Sequence, residues 1–172
     1  MTIDRAAAAS FTETKRCDFQ GNRTNFGQLF QQIKGINPEK LRNNRQPFTV
    51  AFKGEYGDDA GGLFRELMSM ISHDIESVSL PLFIISPNGH NNLGKNCDVF
   101  VPKPDSTTAE CIEMYEFLGK LIGVAIRTGN PLTINLADLF WKRLVGKEIT
   151  IEDITSIDTQ FSNVCQIPLD NH

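Results

Sequence analysis

The sequence predicts an α+β fold that is mostly helical and also contains short strands or hairpins. Residues 107–128 place apolar side chains at helical spacing and are apolar nearly all round in their second half. Residues 47–52 alternate between apolar and small or polar side chains, as a half-buried strand does. Two short apolar runs, residues 80–85 and 97–104, are ended by prolines and predict a small pair of strands.

The first half of the chain predicts two helices around the strand at residues 47–52. Residues 1–24 show no period, so we expect a loosely ordered N-terminal segment or an artificial extension. A short helix follows, which Thr24 or Asn25 can cap. Its apolar side chains are spaced for one face: Phe26, Leu29, Phe30 and Ile33. The second helix starts at Leu63 and continues to about Val78, with Leu67, Met70, Ile71 and Ile75 on its apolar face.

The second half predicts a turn, a central helix and two shorter helical segments. Pro87, Asn88 and Gly89 have strong turn chemistry. The helix at 107–128 can begin at a capping Thr107 or Thr108 and end at Gly129, and we expect it in the centre of the fold. Gly119 and Gly123 share one face of it, which would let another element approach closely. A further amphipathic helix turns these side chains inward: Leu136, Leu139, Phe140 and Leu144. Thr150 and Asp153 predict a capped helical turn, and residues 161–172 show no pattern.

The composition is that of a folded domain or of a piece of a larger one. The chain has 172 residues, of which 40% are hydrophobic and 22% are charged. Its net charge of −4 argues against a nucleic-acid surface. The longest apolar runs are too short to cross a membrane, and the alanine-rich start is a poor signal peptide. The four cysteines have irregular spacing, so we expect free thiols in a reducing compartment, the cytoplasm or the nucleus.

Residues 54–66, GEYGDDAGGLFRE, are the most distinctive segment of the sequence. A phosphate loop needs a lysine after its last glycine, and this segment has none. A calcium loop spaces its carboxylates at alternate positions, which Glu55, Asp58 and Asp59 do not. The segment is better interpreted as a tight junction between a strand and a helix. Either aspartate would cap the helix, and Gly61 and Gly62 would allow close approach of the backbone.

Local chemistry predicts no catalytic, cofactor-binding or metal-binding residue. Cys111 lies inside a predicted helix, Cys97 lies in a loop, and Cys165 lies in the segment without a pattern. An activated thiol needs a base or a positive field nearby, and the sequence shows none beside these residues. Trp141 and the basic residues at 142–147 are typical of a helix core and of a solvated helix end.

The order of these segments resembles the HECT-type ubiquitin ligases. The resemblance lies in FTVAFKGEYGDDAGGLFRE followed by FLGKLIGVAIRTGNPLTINLADLFWKRLVGKEITIEDITSID, and it covers roughly residues 25–160. The segments IISPNGH and AIRTGNPLTINLADLFWKRL are similar to the large HERC-type branch of that family. Ten residues match the family's structural motif: Gly54, Glu55, Gly57, Asp59, Gly61, Gly62, Arg65, Glu66, Gly119 and Gly123.

This resemblance implies a partial HECT domain at residues 25–160, the large and mostly helical subdomain of its amino-terminal lobe, followed by a truncated tail at 161–172. In the family, a smaller subdomain that docks the ubiquitin-conjugating enzyme comes next, and a carboxy-terminal lobe then supplies the cysteine that accepts ubiquitin. None of the cysteines here lies in the family's Thr-Cys-Phe setting, so the resemblance implies no catalytic residue in this chain. Arg65 is expected to pair with a carboxylate, because a partly buried guanidinium would otherwise be costly.

Two other functions stay open from the sequence. The chain could be a naturally truncated, non-catalytic module that binds ubiquitin or a ligase. The glycines of residues 54–62 alone would suggest a nucleotide-binding enzyme, which the missing lysine and the aspartates disfavour. The expected partners are a ubiquitin-conjugating enzyme and ubiquitin, through the full domain. An unknown protein substrate is also expected, but no nucleic acid, membrane or cofactor.

Overall fold

The computed structural model describes residues 1–42, 46–57 and 59–165 of the chain, with the side chains of residues 162, 163 and 165 excepted. It divides into two compact units. The first comprises Met1–Leu82 and Lys103–Ile134, and the second comprises Phe83–Pro102 and the chain from Asn135 on. The described part is helical with a few short strands, as the α+β prediction requires.

The first unit contains a two-residue parallel strand pair and four helices. Its elements in chain order are β1 (Thr2–Ile3), α1 (Arg5–Glu13), α2 (Asn25–Ile33), a 3₁₀ turn (Pro38–Leu41), β2 (Ala51–Phe52), α3 (Gly62–Ile75) and α5 (Ala109–Thr128). In the strand pair, Thr2 lies opposite Ala51 and Ile3 lies opposite Phe52.

Phenylalanines of α2 and α5 form the centre of the core in this unit. The ring of Phe117 lies 5.1 Å from that of Phe26 and 5.5 Å from that of Phe30, in edge-on and tilted arrangements that aromatic pairs favour. Further fully buried side chains from β1, α2, α3 and α5 surround them: Ile3, Leu29, Ile33, Phe64, Leu67, Met68, Ile71, Ile75, Met114, Leu118 and Leu121. The predicted apolar face of α2 is confirmed, and Thr24 caps the helix by accepting a bond from the Gly27 amide.

The expectation that residues 1–24 are loosely ordered is wrong. Ile3 and Ala8 are 0% exposed, and Asp4 caps α1 through the Ala7 amide. Farther along, the buried carboxylate of Asp18 accepts bonds from the amides of residues 22–24 and from the Thr24 hydroxyl. Residues 1–24 show no period because a two-residue strand and an alanine helix with one buried residue are too short to produce one.

Two predicted faces also differ from the structure. Residues 48–52 alternate as expected, with Val50 and Phe52 buried, but only Ala51 and Phe52 form a strand. In α3 the predicted residues Leu67, Ile71 and Ile75 are buried as expected. Phe64 and Met68 are buried as well, whereas Val78 lies beyond the helix and is exposed.

The second unit is built on an antiparallel pair of strands and four short helices. β3 (Phe83–Ile85) pairs with β4 (Phe100–Pro102), and Ile84 lies opposite Val101. This pair confirms the strands predicted from the two apolar runs. The helices are α4 (Pro87–Asn91), α6 (Asp138–Leu144), α7 (Ile151–Thr155) and α8 (Thr159–Cys165).

Polar bonds hold the short helices of this unit together. Residues 87–91 form the helical turn α4 instead of a simple turn, because Ser86 caps it through the Gly89 amide. The buried Asn88 side chain donates to the carbonyls of Lys95 and Ser156 and accepts from the Thr159 amide. Thr150 and Asp153 form the predicted capping box of α7. Leu144, predicted inward, is 59% exposed instead.

Candidate functional site

Asp59 holds the junction between β2 and α3 in its conformation. One carboxylate oxygen accepts from the Gly61 amide at 2.9 Å and from the Phe64 amide at 3.3 Å, and the other accepts from the Val50 amide at 2.8 Å and from Gln46. Burial alone would raise the pKa of Asp59, but these bonds outweigh it and lower the pKa below its usual value. Asp59 thus ties the chain before β2 to the first turn of α3, although Gly61 occupies the cap position itself.

Left-handed backbone explains two glycines of residues 54–66. Gly54 has a φ of 80° and Gly61 a φ of 99°, which side chains rarely adopt. The predicted close approach at Gly61 and Gly62 is wrong. Among the described atoms, a Cβ on Gly57 or Gly62 would meet nothing within 4 Å, and one on Gly61 would make only ordinary contacts.

An arginine from α1 joins the two glutamates of the same segment. Arg5 forms ion pairs with Glu55 and Glu66, and its guanidinium lies 4.7 Å from the centre of the Phe52 ring. These side chains are between a third and a half exposed, so each ion pair is worth at most about 1 kcal/mol. The pairing partner expected for Arg65 is not found among the described residues, and Arg65 is exposed rather than partly buried. Asp58 lies outside the described residues.

The two glycines of α5 do not mark a packed interface in the described chain. Gly119 is exposed, and a Cβ on either Gly119 or Gly123 would meet nothing within 4 Å among the described atoms. Ile112 and Ile126 are exposed as well, Ile126 by 77%. The helix is therefore central on one side only, which corrects the prediction of a helix buried nearly all round.

The cysteines whose side chains are described lie in three different settings. Cys111 is buried at the start of α5, and the Cys97 sulfur donates to the carbonyls of Leu93 and Gly94. Burial raises the pKa of the Cys17 thiol, which leaves less of the reactive thiolate at neutral pH. Nowhere in the described ranges do three histidine, cysteine or acidic side chains form a group that could hold a metal ion. Over the same ranges, no helix is both long and apolar enough to cross a membrane.

A buried carboxylate that the sequence analysis did not single out lies where α3 meets the start of α2. Asp74 is 3% exposed and accepts a bond of 2.8 Å from the Phe26 amide, so it caps α2 from another helix. Burial raises its pKa to about 6, against the lowering effect of the bonds from Phe26 and Asn25. The only sequence signal is a charged residue between the buried positions Ile71 and Ile75.

Exposed apolar side chains are concentrated at the carboxyl end of the described chain. In the second unit, α6, α7, α8 and their connections expose six of them by 41% or more: Leu144, Val145, Ile149, Ile151, Phe161 and Val164. Scattered apolar residues are normal on a surface, and these six lie close together in the sequence, within 21 residues.

Comparison with known proteins assigns the chain to a family. The model of the HECT domain, described as a ubiquitin-transferase domain, matches residues 69–168, more than half of the chain. The chain belongs to the HECT-domain family. Over 141 aligned residues the chain is 36% identical to the E3 ubiquitin-protein ligase HERC2 of Mus musculus. Its identity to HERC2 of Homo sapiens is also 36% over 141 residues. The alignment covers 82% of this chain and 3% of either relative.

The chain is also similar to a ligase with a different name, HECTD4. The probable E3 ubiquitin-protein ligase HECTD4 of Homo sapiens is 33% identical over 116 residues, which cover 66% of this chain and 3% of that protein. The chain therefore spans a small fraction of the length of the curated relatives it matches. The resemblance to the HECT family predicted from residues 48–66 and 117–158 is confirmed.

Proposed function

We propose that this chain is part of a HECT-type ubiquitin-protein ligase, the scaffold segment of the domain that accepts ubiquitin as a thioester and passes it to substrate lysines. The observation that carries the proposal is the match of the HECT-domain model to residues 69–168. Similarity to ligases named HERC2 and HECTD4 supports it further.

In this proposal the reaction takes place on residues outside the segment. The ligase cysteine, on the carboxy-terminal lobe, takes ubiquitin from the thioester of a conjugating enzyme, and a substrate lysine then attacks the new thioester. The segment from residue 25 to residue 160 contributes a rigid base for the mobile parts. Its partners, the conjugating enzyme and ubiquitin, dock through the full domain.

The described cysteines support this division of labour. Cys111 is too buried for a protein partner to reach, and Cys17 has a raised pKa. Cys17, Cys97 and Cys111 are free thiols, which also supports a place in the cytoplasm or the nucleus.

A thioester assay tests the proposal. The chain is incubated with activating enzyme, conjugating enzyme, ATP and ubiquitin, and the products are separated without reducing agent. We expect no adduct that disappears on addition of a thiol, whereas a complete HECT domain in a parallel reaction forms one. A thiol-sensitive adduct that is lost when one of the four cysteines is replaced by serine would show that the segment itself carries the reaction.

A non-catalytic interaction module remains the second candidate, because the second unit exposes six large apolar side chains near its carboxyl end. Titration of isotope-labelled ubiquitin with the chain separates the two functions. Chemical-shift changes that saturate would favour the module, and unchanged spectra would leave the scaffold as the only candidate.

A further inference from the structure

A cleft in the first unit lies between α1, the start of α2 and α3. Its volume is about 500 Å³, within the range of small-molecule sites. Ala9 and Thr12 of α1 and Met70 of α3 form its less polar walls, and Asn25, His73 and Asp74 also line it. The exposed surface of the cleft is more apolar than polar, although seven of its nine lining residues carry a polar or charged group.

One buried acceptor that lines the cleft, Asn25 Oδ1, has no donor, whereas Asp74 accepts a good bond from the Phe26 amide through one of its two oxygens. Asn25 is 7% exposed, and its Oδ1 atom has no hydrogen-bond partner among the described residues. Its Nδ2 donates to Asp74 Oδ1 over 3.5 Å, at the long limit of a hydrogen bond. If the Asn25 amide were turned by 180°, its oxygen would face the Asp74 carboxylate. Because an ionised carboxylate has no donor, the amide oxygen would still lack a hydrogen bond. Buried polar groups in this state are rare and call for a donor from elsewhere.

The charges around the cleft favour a cation. Arg5 also lines it, but two carboxylates outside the cleft, Glu55 and Glu66, already pair with that guanidinium. Glu13 of α1 adds a further negative charge to the lining of the cleft. His73 of α3 is the remaining titratable group there, and a protonated imidazole would oppose a cation.

We propose that this cleft binds a small amphipathic amine, whose ammonium group donates to Asp74 and Asn25 and whose apolar body packs against Ala9 and Met70. An ammonium has three donors and no acceptor, so it can supply the donor that Asn25 Oδ1 lacks and can also pair with the Asp74 carboxylate. This site goes beyond the proposed ligase function and does not depend on it.

Phenethylamine and phenethyl alcohol form the matched probe pair, because they share the apolar body and differ in the charged group. Binding to the full 172-residue chain is measured by calorimetry and by saturation-transfer NMR at pH 7.5. We expect the amine to bind at least tenfold more tightly than the alcohol. Equal affinity of the two probes, or no binding of the amine at millimolar concentration, would overturn the proposal.

The pH profile gives an independent readout. With the pKa of Asp74 at about 6, the ionised fraction falls about tenfold between pH 7.5 and pH 5, so the amine should bind about tenfold more weakly at pH 5. The alcohol should show no such change. An amine affinity that is the same at both pH values would contradict the assigned role of Asp74.

Two variants locate the site. Asp74→Asn keeps an acceptor for the Phe26 amide but removes the charge, and we expect at least a tenfold loss of amine affinity. Ala9→Leu narrows the cleft without touching Asp74 and should also abolish binding, whereas Ala6→Leu, on an exposed position of α1 outside the cleft, should leave it unchanged. Circular dichroism verifies that each variant is folded. Unchanged binding in folded Ala9→Leu would place the amine elsewhere, even if Asp74→Asn failed to fold.

Discussion

Replacing Asp74 with asparagine changes how the stability of this protein depends on pH. The carboxyl group is 3% exposed, and its pKa is raised from 3.8 to about 6, mainly by burial. Between these two values the folded protein binds a proton that the unfolded chain does not bind. The contribution of Asp74 to folding stability is therefore fully present below pH 3.8 and is lost as the pH rises through 6.

The magnitude follows from the shift of about two pKa units. At 1.36 kcal/mol per unit, ionisation of Asp74 costs the folded state about 3 kcal/mol by pH 7.5. Asparagine has nearly the same shape as the protonated acid and does not ionise. Part of this cost is already present at pH 4, where the unfolded chain has begun to ionise, so the free energy of unfolding of Asp74→Asn, relative to the unchanged protein, should rise by about 2 kcal/mol between pH 4 and pH 7.5.

Urea denaturation at several pH values between 4 and 7.5 measures this difference. Asp105→Asn serves as the matched control, because it removes a carboxylate whose side chain is largely exposed, and it should not reproduce a rise of this size. His73→Gln repeats the comparison without the neighbouring imidazole. A difference between Asp74→Asn and the unchanged protein that stays constant across the range would refute the reasoning.

Two further predictions concern the backbone. Asp59→Asn should lower the free energy of unfolding by about 2 kcal/mol in urea denaturation at pH 7. The reason is that an amide cannot accept all the hydrogen bonds that the two carboxylate oxygens accept. A loss below about 0.5 kcal/mol would show that the junction between β2 and α3 does not need these bonds. Gly89→Ala should lower the melting temperature clearly, because a Cβ would overlap the carbonyl oxygen of Cys97. Gly119→Ala, in open space on α5, should instead stabilise the chain by about 0.5–1 kcal/mol, and the reverse order of these two variants would contradict the structure.

Periodicity and caps predicted the helices well where the helix buries one clear face. The apolar spacing in residues 26–33 and the Thr24 cap are found in α2. Thr108 caps the start of α5 and Gly129 caps its end, as expected. The first 24 residues were missed because their order depends on pairing with Ala51 and Phe52, far along the chain, and on the Asp18 carboxylate. A two-residue strand carries no period of its own.

Long-range contacts also decided the candidate site. Residues 54–66 form a junction between a strand and a helix, as the sequence predicts. Asp59, one of the two aspartates expected to cap the helix, accepts bonds from the amides of Gly61 and Phe64. The partner of Glu55 and Glu66 is Arg5, whose position the sequence could not predict, since it lies 50 and 61 residues away. Asp74 was not singled out either, because its burial depends on where α3 meets α2.

The sequence by itself determined the family, the main helices and strands after residue 24 and most of their caps, because these depend on residues close together in the chain. Only the tertiary structure decided which helix faces are covered: Ile126 and Leu144 are exposed, while Asp74 is buried. Burial depends on which elements meet in space. The same contacts raise the pKa of the Asp74 carboxyl group and create a cleft that no local sequence pattern predicts.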